Sequence, residues 1–379
     1  MKCYEYQAKE IFKKYGIPVP NGIVVDKLNQ IKNAFEIIGF PAVIKAQVLA
    51  GGRGKAGGIN FVDSLKEGQD KAKELFGSIK KGIKVEKLLI EKKIDIKNEY
   101  YLGIITDRDS CGPIVIVSSM GGMDVEGVAN GYPEKICREL VDYYHGLNDY
   151  QARHLVYSSG IKKEHAEGIV SILKKLYILY KECDAELTEI NPLIVDQENS
   201  IFAADGRLNV DDSALFRQPA LKLYKEDTLE NRLDEEARIK YIDIGGDIGI
   251  ISTGAGMTMA VMDQVIAHGG KPANFLDGGL GLLDKATQKA LELFMLRGGV
   301  NVILYSTYTG IRGDAMAQKL VDAIENTPGF TIPVVVRFQG LNQEIAERIL
   351  RNSRSKYIHI AHTIDESAKM AVEIAGRGK

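Results

Sequence analysis

Residues 44–58 read IKAQVLAGGRGKAGG, and the order of residue types in this stretch governs how the first half of the chain is read. Its apolar start, with Lys45, belongs to a strand-like run at 41–47 (PAVIKAQ). Five glycines then enclose Arg53 and Lys55 within 50–58 (AGGRGKAGG). Glycine lets backbone N–H groups approach an anion, and the cations neutralise phosphate charge. No Gly-Lys-Ser/Thr closes the run and no helix start follows at once, so it is not the usual P-loop. A flexible surface hairpin is the other reading; cations inside the glycine run favour phosphate.

Outward from this loop, further strand-like runs occur at 87–91 (KLLIE), 100–106 (YYLGIIT) and 114–118 (IVIVS). The first helix is expected to end at Gly16, because Pro18 and Pro20 cannot continue it. Glu91 ends one strand and Glu99 precedes the next. Each reads alone as a solvated acid. Against a bound nucleotide, such carboxylates accept hydrogen bonds from ribose or adenine. Residues 186–195 (ELTEINPLIV) and 201–205 (IFAAD) read as a hairpin about 196–200, with Glu189, Asn191 and Asp205 as polar groups in apolar strands. Pairing about that turn brings Asn191 near Asp205. An amide oxygen and a carboxylate, completed by water and phosphate, suit Mg²⁺; a hydrogen-bonded polar pair at a strand edge is equally compatible.

The second half has a more regular texture. Apolar runs at 248–252, 273–276, 302–305, 333–338 and 357–361 are each followed by a helix-length amphipathic segment. This alternation implies a parallel sheet with helices on both faces, and ligands beyond the carboxyl ends of its strands. The densely charged 224–240 (YKEDTLENRLDEEARIK) reads as a connector, which divides the chain into 1–223, 224–240 and 241–379.

A chain of 379 residues fits two or three domains at about 100–200 residues each. Hydrophobic residues at 45% and charged residues at 26% exclude a disordered chain. Forty-nine Lys+Arg against fifty-one Asp+Glu leave −2, so no global field draws the chain to nucleic acid or anionic lipid. No apolar run approaches the ~18 residues of a membrane span. The start lacks a secretory pattern, so the cytoplasm is expected, or an organelle matrix if a targeting segment has been removed. Four cysteines without a CxxC pair suggest neither a disulfide framework nor a zinc site. The six histidines show no metal-ligand spacing. Residues 253–256 (TGAG) with Asp277 make a weak dinucleotide fingerprint that lacks its third glycine.

Together these segments resemble the β subunit of the ADP-forming succinyl-CoA synthetases (succinate–CoA ligases), along essentially the whole chain. The resemblance is carried by YEYQAKEIFKKYGIPVP near the start, IKAQVLAGGRGKAGG at 44–58, NEYYLG at 98–103 and GGMDVE at 121–126. It continues in EINPLIV at 189–195, AADGRL at 203–208, DDSALFRQP at 211–219 and PANFLD at 272–277. It implies an α/β chain, with an N-terminal ATP-grasp domain followed by a flavodoxin-like, doubly wound parallel-sheet ligase domain.

Carried over by residue, the resemblance gives Lys45 and Gly52-Arg53-Gly54 to the phosphates, and Glu91, Glu99 and the backbone near Ile94 to the adenosine. Asn191 and Asp205 would hold Mg²⁺, and Glu189 would meet the catalytic phosphohistidine. Pro20 matches the ATP-using rather than the GTP-using members. ATP and ADP are then co-substrates. The histidine and most of the CoA site belong to a partner α subunit, in an αβ or α₂β₂ assembly. This accounts for the lack of any catalytic-looking histidine here.

Departures from the family pattern cluster in the ligase half. Thr253 stands where Asn is usual, Thr309–Asp314 is one residue shorter than Gly-Gly-Ile-x-Arg-Cys-Asp, FLDGGLGLL replaces FLDVGGGA, and Met120 replaces a glutamate. In relatives the first two of these segments surround the acid, so Thr253, Gly310, Ile311 and Arg312 are the expected acid-side residues. Arg312 is either the family arginine displaced by a deletion or the reader of an extra carboxylate. Succinate is the expected acid; malate or another carboxylic acid, and a non-catalytic nucleotide-binding subunit, are the alternatives.

Overall fold

The computed structural model describes residues 1–49, 56–80, 83–123, 125–225, 231, 239–279, 282, 286–309 and 312–377. They form two compact units, Met1–Lys225 and Glu226–Lys379. The expected connector lies mostly outside the described residues, and Lys240 already opens a strand.

In the first unit, helix α1 (Glu5–Lys14) ends as its sequence predicts: Tyr15 caps it and Gly16 takes φ +72° before the prolines. Its buried side carries Ala8, Ile11 and Phe12, but also Glu5, Gln7 and Lys9. Strands β1 (Gly22–Val25), β2 (Ala42–Gln47) and β3 (Ile59–Val62) form a four-stranded antiparallel sheet with β4 (Lys87–Lys92), in the order β1-β4-β2-β3. Helices α2 (Ile31–Ile38) and α3 (Leu65–Leu75) cover it, through Ala34, Phe35, Ala72 and Leu75 against Ile44, Leu88 and Ile90.

The second sheet of this unit runs through β5 (Ile96–Asp107), β6 (Gly112–Ser118), β7 (Ile136–Leu140), β8 (Ala185–Asp196) and β9 (Ile201–Ala203). Its order is β9-β8-β5-β6-β7, with β10 (Arg207–Val210) also on β8. Helices α4 (Asp149–Ser158) and α5 (Lys163–Glu182) and the apolar side of α1 share its core. Phe12 is fully buried there, and a Cβ on Gly206 would lie 2.7 Å from its ring. The missing side chain lets α1 pack against the backbone at Gly206, next to Asp205. Phe12→Ala is therefore expected to destabilise this unit by about 3–5 kcal/mol, as measured by denaturant unfolding.

In the second unit, β11 (Lys240–Asp243), β12 (Ile248–Ile251), β13 (Asn274–Asp277), β14 (Val302–Thr309), β15 (Val334–Gly340) and β16 (Ile358–Ile360) follow one another. Strands β12-β14-β15-β16 pair in parallel. Strand β13 meets β12 by the parallel bridge Ser252↔Asp277, and the edge strand β11 pairs with β13 antiparallel. Alternation places Ile250, Leu304 and Val335 against α6 (Ala255–Ala267) and α10 (Ile364–Arg377). Ile303, Tyr305 and Val336 face the other way, toward α7 (Ala286–Arg297), α8 (Gly313–Asn326) and α9 (Gln343–Asn352). The order reverses between β12 and β14, and in such sheets that is where a ligand crevice opens. Among the described residues, no helix is long and apolar enough to cross a membrane.

Candidate functional site

Lys45 lies on β2, all six of whose residues are buried. A buried ammonium needs anionic partners. Lys45 Nζ has Glu5 Oε1 at 2.9 Å, Glu91 Oε2 at 2.8 Å and the Ala204 carbonyl at 2.6 Å. Burial opposes the charge of Lys45, but Glu5, Glu91 and Asp205 outweigh it and hold the ammonium above the usual lysine range. Glu91 is not a solvated acid: it is 1% exposed, and Lys9 Nζ also lies 2.7 and 2.9 Å from its two oxygens.

The hairpin about 196–200 forms as read from the sequence. Leu193 pairs with Ala203, Ala204 N donates to Pro192 O (3.1 Å), and Glu189 pairs with Arg207. That single register sets Asn191 opposite Asp205. Gly122 N donates to Asn191 Oδ1 (2.8 Å), and Asn191 Nδ2 donates to Met123 O (2.9 Å), which fixes the plane of the amide. The amide oxygen keeps a second lone pair, and an amide oxygen with a carboxylate opposite it is the kind of hard-oxygen pair that could hold a magnesium ion. No cluster of three or more His, Cys, Asp or Glu with metal-binding geometry occurs among the described residues, so phosphate and water would complete the shell. Glu189 lies beside this pair: its side chain is 18% exposed, 3.9 Å from Arg207 and 3.5 Å from Asn191 Nδ2.

Glu99, on β5, is half-buried, and that burial raises its carboxyl pKa above the ordinary value. It lines an open cleft of about 500 Å³ with Asn98, Ser119, Met120, Gly121 and Met123. Ile94 is half-buried in the short link between β4 and β5. Gly121 N donates to Glu99 O (3.2 Å), and a Cβ at position 121 would lie 2.3 Å from Tyr100 O. Gly121→Ala must therefore push the 121–123 segment away from β5 and disturb its grip on Asn191. We expect a loss of Mg-ATP affinity of about tenfold with the chain still folded, as measured by calorimetric titration beside circular dichroism.

In the second unit, Thr253 follows β12 with its hydroxyl buried and without a hydrogen-bond partner. Arg312 precedes α8, which starts at Gly313 as expected. Its Nε donates to Asp314 Oδ1 (3.2 Å) and its Nη2 pairs with Asp314 Oδ2 (2.5 Å), and this contact holds the Asp314 carboxyl well below the usual range. Asp277 Oδ1 accepts from Gly254 N (2.7 Å) and Gly279 N (3.0 Å). The carboxylate of the weak dinucleotide fingerprint thus braces the turn into α6, which argues against its serving a ribose. Gly52, Arg53, Gly54, Gly310 and Ile311 lie outside the described residues.

Glu5 and Lys9 join the buried group around Lys45 without being marked by any motif. Their signal is an i,i+4 acid–base pair in line with the apolar Ala8–Phe12 side of α1. Such pairs ordinarily sit in solvent, where they are weak and uninformative.

Residues 2–195 match the family model of the ATP-grasp domain, and residues 251–373 match that of the CoA-ligase. Over 382 residues the sequence is 42% identical to the succinate–CoA ligase [ADP-forming] subunit beta 2 of Archaeoglobus fulgidus, with 99% of each chain covered. The succinate–CoA ligase [ADP-forming] subunit beta of Aquifex aeolicus is 40% identical over 389 residues, covering 100% of both chains. Among solved structures, ATP citrate lyase from Methanothrix soehngenii, in complex with citrate and coenzyme A, is similar with a TM-score of 0.75. At 18% identity, over 98% of this chain and 100% of that one, the likeness is one of fold.

Proposed function

The chain belongs to the β-subunit family of the ADP-forming succinate–CoA ligases, and from that premise we propose that it works with an α subunit to join a carboxylic acid, succinate first, to CoA as Mg-ATP becomes ADP. In this reading the nucleotide half is 1–223, the connector 224–240 and the acid half 241–379. Lys45 and Gly52-Arg53-Gly54 hold the phosphates, while Glu99 and Ile94 hold the adenosine; Glu91, expected there from the resemblance, is 1% exposed and paired with Lys9 and Lys45, so it anchors Lys45 instead. Asn191 and Asp205 hold magnesium, which when bound neutralises charge on the transferring phosphoryl group. Glu189 receives the partner's histidine, which takes the phosphoryl group and passes it to the acid. The CoA thiol then displaces phosphate from the acyl phosphate. Thr253, Gly310, Ile311 and Arg312 line the acid, and most of the CoA site lies on the α subunit.

The observation that carries this reading is the single hairpin register setting Asn191 opposite Asp205, with Lys45 bonded to the neighbouring Ala204 carbonyl. A phosphoryl group needs positioning and charge stabilisation more than covalent help, and these residues supply both. Helix α8 begins at Gly313, where its positive end favours an anion. The test is ADP release by the co-purified complex with a panel of acids. Succinate is expected to lead, with malate as the informative competitor. Full acid-dependent activity from the isolated chain would sink the half-enzyme reading.

A further inference from the structure

Lys9 and Lys45 share one set of partners. Lys45 Nζ meets Glu5 Oε1, Glu91 Oε2 and the Ala204 carbonyl at 2.9, 2.8 and 2.6 Å. Lys9 Nζ meets Glu5 Oε1, Glu91 Oε1 and the same carbonyl at 2.8, 2.7 and 2.6 Å. The exposures of Glu5, Lys9, Lys45 and Glu91 are 2%, 4%, 7% and 1%. An ammonium has three N–H bonds, so both lysines are fully committed. If Lys45 is to grip a phosphate, it must leave at least one of these acceptors. A buried carboxylate stripped of its cation is strongly unfavourable. Lys9 already touches every group that Lys45 would leave.

We propose that Lys9 is a positioning residue for nucleotide binding, which keeps Glu5, Glu91 and the Ala204 carbonyl satisfied while Lys45 turns to the phosphates of a nucleoside triphosphate. Glu5 is its counterpart: it sets how strongly Lys45 is retained. The other groups around Lys45 fit this division of labour. Asp205 adds negative charge, and Gln47 Nε2 donates to Glu5 Oε2 (3.3 Å), which holds that carboxylate toward β2. Neither Glu5 nor Lys9 is required to touch the nucleotide.

This inference rests on reading Lys45 as a phosphate ligand, and titrating the full-length chain with Mg-ATP separates the two. Lys9→Met removes one of the two lysines that, among the described residues, pair with these two buried carboxylates, so affinity is expected to fall about tenfold or more. Adding Glu5→Gln to that variant removes one of the two carboxylates paired with Lys45 and is expected to recover most of the loss. A purely structural role would instead make the double variant worse than the single. Glu5→Gln alone, which keeps both lysines, is expected to bind as tightly as the parent or tighter, and serves if Lys9→Met does not fold. Unchanged affinity in folded Lys9→Met, or weakened binding in Glu5→Gln, overturns the proposal. No binding by the parent chain would instead remove the nucleotide reading and this inference with it.

Discussion

Replacing Asp205 with Asn is expected to lower Mg-ATP-dependent turnover of the complex by roughly 100-fold or more, with the melting temperature almost unchanged. The size of the effect follows from the donor set. Even outer-shell partners of a metal cost about 10–100-fold when removed, and in the proposed function one of the two protein oxygens on magnesium loses its charge. The fold should survive because Asn has nearly the same volume, and Asp205 is only half-buried at the end of a register fixed by its neighbours. Initial rates over a magnesium titration, beside a thermal melt, make the measurement. Near-normal turnover would show that this carboxylate holds no metal. Unfolding would favour the alternative of a hydrogen-bonded structural pair.

Lys45→Met is expected to be comparably severe in turnover, about 10²–10³-fold, because the proposed function loses a cation that stabilises charge on the transferring group. It should also cost stability, which Asp205→Asn should not. Removing one partner from a buried ion pair typically costs about 3–5 kcal/mol. Lys9 remains on both carboxylates, so the low end, about 3 kcal/mol, is expected by denaturant unfolding. The pH dependence is distinctive as well. A lysine whose pKa is raised on folding contributes stability that is present below its unfolded value of about 10 and lost only as pH rises beyond it. Wild-type activity between about pH 6 and 9 should therefore show no limb assignable to Lys45. A basic limb that moved with Lys45→Arg would contradict the network described here.

The architecture was legible wherever burial imposes a period. The five apolar runs after residue 240 became β12 to β16, because parallel strands covered on both faces need continuous apolar residues. Strand β11 was not legible. KYID is short, mostly solvent-exposed and adjacent to the charged run, and it pairs only at the sheet edge. Strand β5 begins at Ile96, earlier than its apolar run suggests, since β8 supplies ladder partners to Asn98 and Glu99 whatever their polarity.

In the candidate site, Asn191 and Asp205 were readable because a hairpin with a recognisable turn dictates its own pairing. The burial of Glu91 was not, because it depends on Lys9, 82 positions away in the chain. The role of Gly121 and Gly122 in holding Asn191 was equally hidden. It depends on backbone passing within hydrogen-bond reach of a distant strand, and no local pattern encodes that.

Helix α1 supplies an apolar ring beneath Gly206 and two charges to the strands that carry Lys45 and Glu91. Anyone transplanting this cleft onto a smaller scaffold must therefore bring the opening segment along. A graft of residues 41–92 and the 185–210 hairpin alone would inherit Lys45 and Glu91 without Glu5 and Lys9, their partners on that helix, and a hollow where Phe12 belongs.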